Sequence, residues 1–166
     1  MGNFLDLIDV YQIKLLLQLL LALVLGGMFG LEREYVGKAA GVRTFALVSF
    51  GAALFTLISV HGFQEFLNGV SNYDPSRIAS QIVTGIGFLG MAVIIRRGLD
   101  VRGITTAATM WAAAGIGMAV GVGFYTLAIG ATLFAFIVTA VLRILNVEAW
   151  IKKARQSSFT KKQKKI

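Results

Sequence analysis

The residues able to do chemistry in this chain are few, and they fall in short groups. Arg77, Gln81 and Thr84 recur at i, i+4 and i+7, with Ser80 beside them and Asp74 just ahead. On a helix this spacing makes one polar face. An amide in hydrocarbon is costly unless it is hydrogen-bonded, so that face should look onto protein or a wet cavity. Gln18 is a candidate partner. Asp74 suits an N-cap and lies within reach of a salt bridge to Arg77. A second group, Glu32, Arg33, Glu34 and Arg43, forms a compact charged cluster, and Arg96, Arg97, Asp100 and Arg102 form a third. Charges of this kind at helix ends serve as solvated anchors or as a docking or gating surface.

Other chemistries lack their parts. Gly85-Ile86-Gly87-Phe88-Leu89-Gly90 matches G-x-G-x-x-G, but a dinucleotide site needs a preceding strand and an acid about 20 positions on. Here the motif lies in a charge-free stretch, and the nearest downstream acid is Asp100. Glycines that let membrane helices approach closely are the better account. The chain has no cysteine and one histidine, His61, so thiolate and His-cluster metal sites are excluded. No nucleophile–base pair is evident, and we expect neither an enzyme nor a cofactor.

Composition dictates what must position these groups. Of 166 residues 57% are hydrophobic and 14% charged, against about 25% in soluble domains. Residues 15–31, 44–64, 78–95 and 103–142 carry no Asp, Glu, Lys or Arg. A helix needs about 20 apolar residues to cross a bilayer, so the last run must cross twice, turning at Gly121-Val122-Gly123. The expected fold is an all-α bundle of five transmembrane helices near 14–31, 44–61, 76–95, 104–120 and 124–143. Asp74-Pro75 opens the third. Residues 1–12 lack the basic segment of a signal peptide.

Lys and Arg on alternate sides of these spans number 2 and 14, which predicts the N-terminus outside and the C-terminus in the cytoplasm. Tyr11, Tyr73 and Tyr125 fall at the outer ends, and Tyr35 and Trp150 at inner ends, as interfacial anchors do. Trp111, deep in the fourth span, is the exception. Past the fifth, Val147, Trp150, Ile151 and Ala154 share a helical face opposite Lys152, Lys153 and Arg155, the pattern of a short helix lying in the membrane surface. Anionic lipid headgroups are its expected partners, and nucleic acid is not expected. Residues 1–145 thus form the membrane domain and 146–166 an amphipathic, Lys-rich tail, the end of which has no periodicity.

Several motifs occur in order: Gly30-Leu31-Glu32-Arg33-Glu34, Gly41-Val42-Arg43-Thr44, Asp74 through Val83 running into the Gly85–Gly90 segment, and Arg102-Gly103-Ile104-Thr105-Thr106-Ala107-Ala108 with Trp111. Over about residues 14–145 the chain resembles the MgtC/SapB family. The resemblance implies a bacterial plasma-membrane protein, adds Arg102, Thr105 and Thr106 to the candidate residues, and brings in relatives linked to low magnesium, survival inside macrophages and restraint of the F-type ATP synthase. Met91-Ala92 departs from the family's usual Ala-Gly. Too few residues follow the fifth helix for the ACT-type domain of the long members, which resembles the short SapB/YhiD-like branch.

Two readings of function follow. In the first, the chain is a membrane regulator or interaction protein linked to magnesium or stress adaptation, packing against itself in a homo-oligomer or against other membrane proteins. In the second, it is a small oligomeric transporter or channel for a cation such as Mg2+, using Gln81, Thr84 and backbone carbonyls. Coupled carriers usually hold Asp, Glu or His within their spans, and these hold only His61, at the outer end of the second, which favours the first reading.

Overall fold

The computed structural model describes residues 10–63, 73–98 and 100–144. Among these residues the chain forms five helices: α1 (Val10–Tyr35), α2 (Val42–His61), α3 (Ser76–Ala92), α4 (Ile104–Gly121) and α5 (Tyr125–Ile144). Their order and placement match the five expected from the charge-free runs. By length and composition α1, α2 and α4 are long and apolar enough to cross a membrane. Helix α3 has 17 residues, and the apolar part of α5 is Tyr125–Val141. Leu16, Leu17, Leu20, Leu127 and Phe134 are among many large apolar side chains on the outside. So much apolar surface belongs in lipid, as in a membrane protein.

Helix α1 extends beyond its expected ends because flanking residues complete its turns. Its C-terminus closes with Gly37 at φ +65, Lys38 N–H donating to the Arg33 carbonyl at 3.0 Å and Gly37 N–H to the Glu34 carbonyl at 2.9 Å. This is the left-handed glycine termination, which satisfies carbonyls that a helix end leaves orphaned. Five residues later α2 begins at Val42, whose N–H donates to Glu34 Oε2 at 2.8 Å. A side chain from one helix end thus caps the next.

Helices α1, α2 and α4 make the core. Between apolar helices in lipid the hydrophobic effect adds little, so close van der Waals contact must hold them, and small residues permit it. Gly26 of α1 lies against Phe45 and Ser49 of α2, and Gly117 of α4 against the Ser49 backbone from the other side. Gly30 meets the backbone of Gly41 and Val42, and Gly121 meets Ala53 and Thr56. Phe29 and Phe45 stack edge to face at 5.6 Å. Gln18 is buried and donates from Nε2 to the Val120 carbonyl at 3.1 Å, so it ties α1 to α4 and is not the partner of Gln81.

One element departs from an all-α fold. The third helix, expected to reach residue 95, ends at Ala92, and Ile95–Arg97 forms a strand antiparallel to Asp100–Arg102. Ile95 stands opposite Arg102 and Arg97 opposite Asp100, with Gly98 at φ +60 in the turn. Gly103, at φ +91, packs under the Val93 carbonyl, where a side chain would collide. Two glycines in the left-handed region, which a helix interior cannot use, fold the chain back after α3.

Candidate functional site

The polar residues of α3 stand at the edge of the bundle. Only Ile86 and Gly90 of its 17 residues are buried. The helix is fastened at both ends. At the start, Ser59 Oγ donates to the Pro75 carbonyl at 2.7 Å and Tyr73 Oη donates to the Ser59 carbonyl. At the other end, Val93 packs on Gly103.

Asp74, expected at the N-cap, stands one place ahead of it: Pro75 is the N-cap of α3, and Asp74 holds the helix start through Ser76. Its Oδ1 accepts from the Ser76 N–H at 2.9 Å and from Ser76 Oγ at 2.6 Å. These bonds, aided by the Arg77 charge, hold its carboxyl below the usual carboxylate range. Asp74 and Arg77 do not close to ion-pair distance, so the expected salt bridge is absent. The guanidinium is drawn by long-range attraction alone.

The expected stripe divides between two faces. Arg77, Ser80, Thr84 and Gly87 recur on the outward face, and all are exposed. Ser80 Oγ donates to the Arg77 carbonyl at 2.7 Å and Thr84 Oγ1 to the Ser80 carbonyl at 3.1 Å. Their hydroxyl protons are therefore satisfied within the helix, but their oxygens remain open to a partner. A methyl group built on Gly87 would meet nothing within 4 Å. Gln81, exposed on the flank of this face, also lines a groove of about 690 Å3 between α2 and α3 whose α2 wall begins at Arg43.

The charged cluster at the end of α1 also separates. Glu32 and Arg33 are buried, 7% and 4% exposed, and Arg33 Nε donates to Glu32 Oε2. A buried charge needs such a partner, because desolvating it alone would cost several kcal/mol, roughly. Glu34 is exposed and spends Oε2 on the α2 N-terminus. Arg43 joins none of these. It projects toward α3 and forms no ion pair among the described residues. Glu32 and Glu34 border a different groove, of about 1110 Å3, between α1 and α5.

At the hairpin, Arg102 Nε pairs with Asp100 Oδ2 at 2.8 Å on the exposed surface, and Arg96 Nε donates to the Gly98 carbonyl at 3.1 Å. Thr105 is exposed, whereas Thr106 is buried and its carbonyl accepts from Thr109 Oγ1 at 2.8 Å. Trp111 faces outward, 57% exposed, beside a small cavity shared with α3 and α5. Trp150, Lys152, Lys153 and Arg155, with the amphipathic segment around them, lie outside the described residues. No group of three or more His, Cys, Asp or Glu suited to a metal ion occurs among the described residues.

Sequence reasoning missed the Glu34–Val42 cap and the separation of Arg43 from the acids. Glu34 and Gly41-Val42 held the signal for the cap: an acid in the last turn of one helix, and a glycine just before the next.

Comparison with known proteins places this geometry. The model of the MgtC family matches residues 19–147. An Escherichia coli (strain K12) protein with the name "Putative magnesium transporter YhiD" is 41% identical over 134 residues, 80% of this chain and 62% of the relative. Protein MgtC of Salmonella typhimurium (strain LT2) is 46% identical over 128 residues, 77% of this chain and 52% of the relative. Protein MgtC of Brucella abortus (strain 2308) is 41% identical over 138 residues, 83% of this chain and 55% of the relative. The matched part spans between about half and three fifths of these relatives' length. No solved structure matches the chain. The match covers α1 from residue 19, all of α2 to α5 and the hairpin, and on it the chain belongs to the MgtC family.

Proposed function

We propose that the chain is a five-span protein of the bacterial plasma membrane, N-terminus outside and C-terminus cytoplasmic, that regulates other membrane proteins by helix contact during magnesium or stress adaptation. The observation that carries this reading is the position of α3. It brings Arg77, Ser80 and Thr84 to the outside of the bundle on one face with Gly87. Polar side chains facing lipid are unfavourable, whereas the same side chains between helices act as glue, and a glycine lets the second backbone come close. The outward face of α3 therefore suits a partner's transmembrane helix. The closed core agrees with this. At Gly26, Ser49 and Gly117 the backbones of α1, α2 and α4 touch, so a solute has no way between them.

Orientation rests on the 2-to-14 distribution of Lys and Arg. Reporter fusions after Asn68 and after Phe159 should report opposite sides, outside and inside. The partner reading is tested by a photoreactive residue placed at Thr84 in cells, with Val138, an exposed position of α5, as the control. Adducts with another membrane protein are expected at Thr84 and not at Val138. Equal labelling at both positions would refute the docking face.

The name of the Escherichia coli relative favours a second reading, cation transport. In that case oligomerisation would have to build the path between protomers, using Gln81 and Thr84. Purified protein in liposomes containing a magnesium-sensitive dye separates the two: regulation by contact predicts no flux above empty liposomes.

A further inference from the structure

The α2–α3 groove has properties that neither reading uses. Its α2 wall runs from Arg43 to Phe55 and its α3 wall from Ile78 to Leu89. At 1.5 Å per residue these walls are about 18 Å and 16 Å long. The hydrocarbon core of a bilayer is about 30 Å thick, so the groove is little deeper than one leaflet. A membrane-spanning partner helix would need a longer track. The floor is open at Gly51 of α2 and at Gly85 of α3, since a methyl group on either would meet nothing within 4 Å. Between Thr44 at one end and Gln81 at the other, the lining is apolar or glycine throughout.

The charge lies at one end only. Arg43 and Thr44, both exposed, mark the side that carries the hairpin arginines. Neither makes an ion pair or side-chain hydrogen bond among the described residues, whereas Arg33 and Arg102 each have a carboxylate. The nearby acid, Glu34, turns toward Val42 and the α1–α5 groove, one helix face away from Arg43. A cation and a hydroxyl at interface depth, above an apolar slot one leaflet long, complement a phosphate ester with an acyl chain.

We propose that the α2–α3 groove holds one anionic phospholipid of the leaflet on the Arg43 side, its phosphate on Arg43 and Thr44 and one acyl chain between Gly51 and Gly85. The lipid would fill the space that separates the middle of α3 from α2, with α3 fastened at both ends. This site faces away from Arg77, Ser80 and Thr84, so it stands independently of the partner reading, and adducts at Thr84 can fail or succeed whatever occupies the groove.

The test is native mass spectrometry of the whole chain released from micelles containing phosphatidylglycerol or phosphatidylcholine. One retained phosphatidylglycerol per chain is expected, in preference to phosphatidylcholine. Arg43→Gln should lower that preference by about tenfold, in keeping with the loss of a hydrogen bond to a charged group. Gly85→Leu should fill the slot and displace both lipids, with helix content by circular dichroism unchanged. Arg97→Gln, a hairpin charge outside the groove, should retain the wild-type preference. Equal retention of the two lipids by the wild type, or an undiminished preference in Arg43→Gln, would overturn the proposal. So would a dimer in place of a lipid adduct, which would make the groove an interface between copies.

Discussion

Gly117→Ala tests the closed core most directly. A methyl group on Gly117 would lie 2.0 Å from the Ser49 carbonyl oxygen and 2.8 Å from its carbon. The obstacle is backbone, so no rotamer change relieves it. Reaching the 3.4 Å of an ordinary contact requires α4 to withdraw from α2 by 1.4 Å, the difference between 3.4 and 2.0. That withdrawal would loosen the contacts of Gly121 and the Gln18 bond to Val120 as well. Overpacking a well-packed core costs about 1–3 kcal/mol, and rigid backbone on both sides places this case near the upper value. Alanine returns up to about 1 kcal/mol of helix propensity. Gly115, on the same helix, has nothing within 4 Å of a built methyl group, so Gly115→Ala receives the propensity gain without the clash. The two variants should therefore differ by about 2 kcal/mol or more. Reversible unfolding in mixed micelles by sodium dodecyl sulfate, followed by circular dichroism, measures the difference. If Gly117→Ala is as stable as Gly115→Ala, α2 and α4 are not in backbone contact and the core is not closed.

Two other outcomes follow from the caps and turns. The Asp74 carboxyl is held below its ordinary value of 3.8, so its contribution to stability is present above that value and lost as pH falls through the lower, folded one. Asp74→Asn should melt earlier at neutral pH and lose less than the wild type on acidification, as read in a series of thermal scans. Gly103→Ala places a methyl group 2.0 Å from the Val93 carbonyl oxygen and demands φ +91 of a residue with a side chain. The chain has no cysteine, so an Ile95→Cys/Arg102→Cys pair reports the hairpin cleanly. Oxidative cross-linking of that pair should be fast, and Gly103→Ala should slow it severalfold.

The helices were legible because each is a long charge-free run ending in a charge, a glycine or Asp74-Pro75. Lipid demands that the backbone satisfy itself, and composition alone then locates the helices. The hairpin was not legible. Arg96, Arg97 and Arg102 read as charges flanking a membrane helix, and three-residue strands are too short to show a period. Gly98 and Gly103, five residues apart, were the one available signal. The polar stripe of α3 was seen, but its division was not. Arg77 and Thr84 are nearly a whole number of turns apart, whereas Gln81 lies some way round the helix, and only the position of α2 decides that this difference places it in a groove. The fate of Arg43 depended on Glu34, whose reach across to Val42 no spacing rule states.

The nesting of α4 between α1 and α2 also sets an order of events during synthesis. Helices α1 and α2 can pair as soon as both are made, joined by the Glu34 cap. Their shared slot, to which α2 contributes Ser49, Ala53 and Thr56, is filled by a helix that ends 60 residues after His61, at Gly121. At about 5–20 residues per second that is roughly 3–12 s. Throughout this interval the nascent chain displays an open cleft in the bilayer, and α3, already made, must wait beside it without entering. A chain arrested after α3 would keep the cleft open to any small-residue helix nearby. Membrane quality control would then meet an unfinished bundle whose missing piece is identifiable: the surface of α4 that bears Gly117 and Gly121.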